Sequence, residues 1–318
     1  MALSSLAGLS LGISSGTLKP LTLDGGFRID GKPSSSIGIL YPGERVDIIF
    51  EPENSTDHLG TELLINMDTE NFRFPNFALR PNQTFPLLIK KQIEDMVDSS
   101  VIFDYSSSFD LSSAVSIASN EKTLQVPDEV NQTILLYTKT EKLSINSNIP
   151  MGFINRTSWS PQKTPRLPLI SLPRKQWDEN QLIPHIGPHG ASSRWVDIII
   201  NNLDDGSHPF HLHGHDFYVV ASHRTEHGWG SYSPYADSGP SSLKPELNVK
   251  NPTRKDTLSV PSHGFVILKV RFDNPGIWMF HCHVLFHQAS GMAMGFQVGG
   301  EMEHLDVDPS AGEYCAKM

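Results

Sequence analysis

Residues His281–Met294 read HCHVLFHQASGMAM, and this stretch decides the fold. His281 and His283 flank Cys282, His287 follows the cysteine by five positions, and Met292 follows it by ten. Imidazole, thiolate and thioether are borderline to soft donors, a set that suits copper, and a blue-copper centre takes two histidines, one cysteine and a weak axial ligand. The second imidazole is available upstream in His208–His215, HPFHLHGH, which places four histidines within eight residues. His208, Cys282, His287 and Met292 complete the set. Structural zinc prefers closed tetrahedral Cys/His sites without methionine, which argues against zinc here.

Each stretch also contains an H-x-H, at His211/His213 and at His281/His283. On a strand, residues two apart share a face. Each pair therefore presents two imidazoles to one side, and Cys282 points to the other. One strand end can then hold a single copper through its cysteine and serve further metal ions through the neighbours, the layout of an electron relay.

These ligand types, their order and their spacings resemble the third and fourth copper-binding motifs of the multicopper oxidases, the family of laccases, ascorbate oxidases and ferroxidases. The lead-in Asn274–His283, NPGIWMFHCH, is similar to that family as well. The resemblance implies a type 1 copper at His208, Cys282 and His287 with Met292 axial, a type 2 copper at His211, and a type 3 pair at His213, His281 and His283. Cys282, His281 and His283 become the electron relay, and His215 lies outside the ligand pattern. The stretches Ser5–Gly26 and Tyr41–Phe50 (YPGERVDIIF) resemble the middle domain of ascomycete-type members. His58, His185, His189, His223, His227, His263 and His304 fit no motif and read as surface or loop residues.

The chain of 318 residues allows about two domains. With 24 glycines, 23 prolines and 19% charged residues it suits a turn-rich β protein. A net charge of −10 argues against nucleic acid or an anionic membrane as partner, and no apolar run has the length of a transmembrane helix. The expectation is an all-β chain of two cupredoxin-like Greek-key β-sandwiches. Residues 1–125 form a middle domain truncated at its N-terminus plus a linker, and 126–318 form the C-terminal domain with the copper motifs. The first residues lack the basic start of a secretory signal and read as a strand through Leu6, Leu9 and Leu11. Strands are expected around Ile37–Leu40, Arg45–Phe50, Phe85–Ile89, Thr133–Tyr137, Trp195–Ile200, Phe217–Ala221, Thr257–Val260 and Phe265–Phe272, with a turn at Tyr41–Glu44. The Pro-rich span 145–190 reads as an irregular surface excursion. VLFHQA, just after the second H-x-H, allows one short turn of helix.

The family's trinuclear copper cluster takes eight histidines from four H-x-H motifs, and this chain has two of them. The expectation is therefore a truncated oxidase lacking its N-terminal cupredoxin domain, with a type 1 site and little or no oxygen reduction alone. The intact parent would couple one-electron oxidation of a small reductant to reduction of O2 to water. Met292 in place of Leu or Phe lowers the type 1 potential and favours an easily oxidised, laccase-type phenol, with ferroxidase and ascorbate oxidase next. The alternative is an electron-transfer module without oxidase activity. Asp204, four residues before His208, reads either as an acid serving the substrate or as a loop residue bonding its own turn. Asp216 carries the same ambiguity. Four N-x-[ST] sequons, at Asn54, Asn82, Asn131 and Asn155, tilt towards an extracellular glycoprotein. Cys315 is left without a partner and reads either as the bridge to the missing first domain that related oxidases form, or as a free thiol on the tail.

Overall fold

The computed structural model describes residues 7–53, 61–69, 72, 77–87, 107–117, 125–187, 194–225, 230–237 and 245–299. The chain forms two compact units, Met1–Leu124 with Lys250–Thr253, and Gln125–Val249 with Arg254–Met318. Each is a β-sandwich whose two sheets share one apolar core.

The first unit contains β1 (Leu9–Ile13), β2 (Thr17–Leu23), β3 (Phe27–Arg28), β4 (Ser36–Leu40), β5 (Val46–Glu51), β6 (Thr61–Met67), β7 (Asn82–Leu87) and β8 (Ser108–Phe109). Its sheets run β7-β6-β1-β4-β8 and β3-β2-β5. Leu11, Ile13, Leu18, Leu23, Ile37, Leu40 and Val46 from both sheets meet in the core. The turn expected at Tyr41–Glu44 is present. Gly43 takes φ +88, the Glu44 N–H donates to Tyr41 O at 3.0 Å, and the Glu44 carboxylate accepts the Tyr41 N–H at 2.7 Å.

The second unit contains β9 (Gln132–Lys142), β10 (Pro150–Ile154), β11 (His185–Ile186), β12 (Arg194–Asn202), β13 (His208–Leu212), β14 (Phe217–His223), β15 (Thr253–Lys255), β16 (Thr257–Val260), β17 (Phe265–Phe272), β18 (Gly276–Cys282) and β19 (Ala293–Val298), together with the short α-helix α1 (Leu285–Ala289). One sheet runs β10-β9-β12-β17-β14-β15 and the other β11-β19-β18-β13-β16. The core is aromatic where the sheets meet, with Phe210 and Phe280 rings 5.0 Å apart and Phe280 and Phe296 5.6 Å apart. The span expected to be irregular carries β10 and β11 as well. PMGFI pairs with β9 at the sheet edge, where a first-position proline costs no ladder bond.

The strand β17 is central, paired with both β12 and β14, so seven of its eight residues are buried and simple alternation is lost. One of them is Lys269, whose side chain is fully buried and whose Nζ donates to Asp197 at 3.0 Å and to Asp128 O at 3.3 Å. Burial pushes the Asp197 carboxyl up, and the Lys269 ammonium pulls against that shift. Among the sequons, Asn82 and Asn131 are exposed. The Asn155 side chain is bonded to the Leu135 carbonyl and the Tyr137 N–H, and Asn54 lies outside the described residues. Removing the counter-charge in Asp197→Ala should destabilise the chain by about 3 kcal/mol, because it strands a buried ammonium. The urea midpoint measures this, and a midpoint equal to the parent's would count against the pair.

Candidate metal centre

The site is assembled by the pairing of β13 with β18, in which Phe210 faces Cys282 across the ladder and His211 faces His281. Alternation then sorts the side chains. Phe210, Leu212, Phe280 and Cys282 turn into the apolar core, while His211, His213 and His281 turn to the opposite face with His283. Two groups of potential ligands result, back to back across one strand.

On the core side, His208 Nδ1 and His287 Nδ1 lie 3.1 Å apart, and each faces the Cys282 sulfur, at 3.8 Å and 3.6 Å. All three donor atoms fall within 4.8 Å of one another. His208 is buried at the start of β13. His287 is delivered by α1, the short helical turn expected from VLFHQA. The Met292 N–H donates to His287 O at 2.9 Å, and its carbonyl accepts the Cys282 N–H at 3.0 Å, so the fully buried Met292 is tied directly to both. Two imidazoles and a thiol converging in an apolar pocket beside a methionine fit copper better than a harder cation.

Asp204 is not the self-contained turn residue that one reading expected. Its carboxylate accepts the His208 Nε2–H at 2.8 Å and the Thr140 N–H, 64 residues away, at 2.7 Å. Burial alone would raise its pKa, but the hydrogen bond and charge of His208 together with the Thr140 contacts hold it below the usual carboxylate range. An ionised carboxylate only accepts, so His208 carries its proton on Nε2 and aims the Nδ1 lone pair at the cysteine. Asp216, the other ambiguous acid, is paired with Arg254 at 2.9 Å.

On the opposite face, the rings of His211 and His213 lie 4.9 Å apart, His213 and His281 5.1 Å, and His211 and His283 5.8 Å. His213 Nε2 and His281 Nε2 approach to 3.0 Å. The His281 Nδ1–H donates to the Cys282 carbonyl at 2.9 Å, which leaves its Nε2 lone pair for the cluster. His211 Nδ1 sits among Thr257 Oγ1 at 2.9 Å, Asp256 O at 3.1 Å and the Asp256 carboxylate at 3.3 Å. A hydrogen bond to one ring nitrogen of this kind fixes the tautomer of a ligand histidine. Asp256 and Thr257 were not legible as site residues, since an Asp-Thr at a strand start carries no signal of its own. His215 packs against Phe272 and Trp278 and accepts the Asn274 N–H at 3.3 Å, apart from both groups. Cys315, His58, His189, His227 and His304 lie outside the described residues.

Burial pushes the Cys282 thiol up to about 12 and the His281 and His287 imidazoles down to about 4. Both rings are neutral in folded and unfolded chains above pH 6.5, so no penalty arises there. Below it the unfolded chain takes up protons that the folded chain refuses until about pH 4. The metal-free chain should therefore lose stability as pH falls through that window, and His287→Leu should flatten the loss. Urea midpoints at neutral pH and at about pH 5 test this, and parallel slopes for the two chains would contradict it.

The fold is of cupredoxin type, and His208, Cys282 and His287 form a donor group that could hold a metal ion. Residues 157–301 match a family model described as multicopper oxidase. It is 28% identical over 261 residues to the iron transport multicopper oxidase FET3 of Gibberella zeae, covering 81% of this chain and 39% of that protein. It is 36% identical over 118 residues to Laccase-12 of Arabidopsis thaliana, covering 36% and 19%. Its fold matches the crystal structure of Fet3p, a multicopper oxidase that functions in iron import, with TM-score 0.76 at 19% identity over 92% of this chain and 53% of that one. The laccase from Botrytis aclada gives TM-score 0.66 at 21% identity, over 98% and 52%. The chain thus spans about half the length of these structures, or less for the curated relatives. No helix among the described residues is long and apolar enough to cross a membrane.

Proposed function

We propose that this chain is the electron-accepting part of a copper-dependent oxidoreductase. His208, Cys282 and His287, with Met292, would hold a type 1 copper. His211, His213, His281 and His283 would hold their share of the type 2 and type 3 ions. Copper at the first site supplies a one-electron acceptor. The observation that carries the reading is the convergence of two imidazole Nδ1 atoms on the Cys282 sulfur, 3.6 and 3.8 Å away.

The protein's own residues supply the rest. Asp204 orients His208 and keeps a negative charge beside it. Cys282 is bonded through its backbone to His281 and His283, so a short covalent path joins the two ligand groups. The apolar core around Cys282 keeps water from the thiolate. Reduction of O2 calls for four further imidazoles that the two H-x-H pairs of this chain do not supply, so we infer little oxygen reduction by this chain alone.

The reductant follows from what lies at the outer edge of the imidazoles. The ionised Asp204 carboxylate, bonded to His208 and partly exposed, favours a small metal cation, ferrous iron being the readily oxidised case. A second reading, a phenol, is favoured by Leu285 and Phe286, both exposed and adjacent to His287. Anaerobic stopped-flow bleaching of the copper-loaded chain separates the two. Ferrous ion should bleach it faster than a neutral phenol, and Asp204→Asn should slow the ferrous reaction about tenfold while sparing the phenol. Equal loss with both reductants would mean that Asp204 acts only by orienting His208. Faster phenol bleaching together with an unaffected ferrous rate would favour the phenol reading.

A further inference from the structure

The mechanism above uses Met292 but not the strand behind it. Gly152, in β10, lies about 140 residues upstream and has no room for a side chain. A Cβ built there would sit 2.6 Å from Met292 Cβ, 2.7 Å from Met292 N and 3.0 Å from Met292 Cα. Two of these are backbone atoms, which cannot swing aside. The approach is reinforced by hydrogen bonds. The Gly152 N–H donates to Ser290 O at 3.0 Å, the Trp159 N–H to Gly291 O at 2.9 Å, and the Ser158 hydroxyl to Ser290 O at 3.2 Å.

Gly291 completes the fit. Its φ is +111, and a Cβ there would meet Gly152 O and Trp159 N, each at 3.1 Å. The loop Ser290–Met292 is thus gripped on one side by Gly152, Ser158 and Trp159. The backbone of Met292 is tied in turn to His287 and Cys282.

We propose that Gly152, with Ser158 and Trp159, is a positioning element that sets the placement of the Met292 sulfur. It thereby tunes the axial interaction at the copper site. The proposal rests on the type 1 reading above. The axial ligand of such a site tunes its potential, so a side chain added at Gly152 should change the electronic character of the site without touching either histidine or the cysteine.

The test uses the whole chain loaded with copper, in the parent and in Gly152→Ala. Gly152→Ala should shift the ratio of the two visible charge-transfer bands and the EPR parameters. In a Met292→Leu background, which has no sulfur to displace, the same substitution should produce no shift. Ser158→Ala, which removes one hydrogen bond without adding bulk, should give a smaller shift with the same dependence on Met292, and it keeps the test open if Gly152→Ala fails to fold. Spectra of Gly152→Ala or Ser158→Ala identical to the parent would overturn the proposal. So would a shift that persists in Met292→Leu, because the brace would then be acting on the other ligands. Absence of a blue band in the parent would instead overturn the type 1 reading on which it rests.

Discussion

The site depends on one register: His211 opposite His281 and Phe210 opposite Cys282 between two antiparallel strands. Strand side chains alternate with a period of two, so a slip of one residue would send every side chain of one strand to the wrong face. Cys282 would leave the core and the histidines would enter it. The register is held by the aromatic packing of Phe210, Phe280 and Phe296 beneath the strands. The apolar core and the candidate donor groups are therefore parts of one arrangement. The same packing that stabilises the sandwich makes the pocket dry and keeps the Cys282 thiol protonated until a metal displaces the proton.

Around this register the chain places oriented groups at a distance. Asp204 fixes His208, the Cys282 carbonyl fixes His281, and Asp256 with Thr257 fixes His211. In each case a hydrogen bond to one ring nitrogen leaves the other available. Metal sites are tuned largely by such outer partners, which set ring orientation and ligand basicity. In the proposed function the choice of reductant falls to this outer layer, where an ionised Asp204 carboxylate and the exposed Leu285 and Phe286 would favour different reductants.

Much of this was legible in the sequence, because donor types at fixed spacing survive without structural context. HCHVLFHQASGMAM marks its own candidate donors, and H-x-H on a strand implies a shared face. The strands flanking the motifs were readable from their apolar runs, as at Trp195–Ile200 and Phe265–Phe272. What stayed hidden has a common cause. Lys269 looks like a break in an alternating strand until Asp197 is seen across the sheet. β10 looks like loop because an edge strand of five residues beginning with proline has little pattern of its own. Asp204 reads as a turn residue until Thr140 and His208 are placed beside it. Gly152 gives no signal, since the need for glycine arises from a backbone that approaches from far along the chain. Contacts between distant segments decide all four.

His208, Cys282 and His287 are proposed to form a copper–thiolate centre. The most direct measurement is a Cu(II) titration of the metal-free chain, followed by visible absorption, EPR and metal stoichiometry, beside Cys282→Ser. The expected result is an intense blue thiolate-to-copper band that saturates with one equivalent of copper and vanishes in Cys282→Ser. Copper bound without that band, or a band that survives loss of the cysteine, would contradict it.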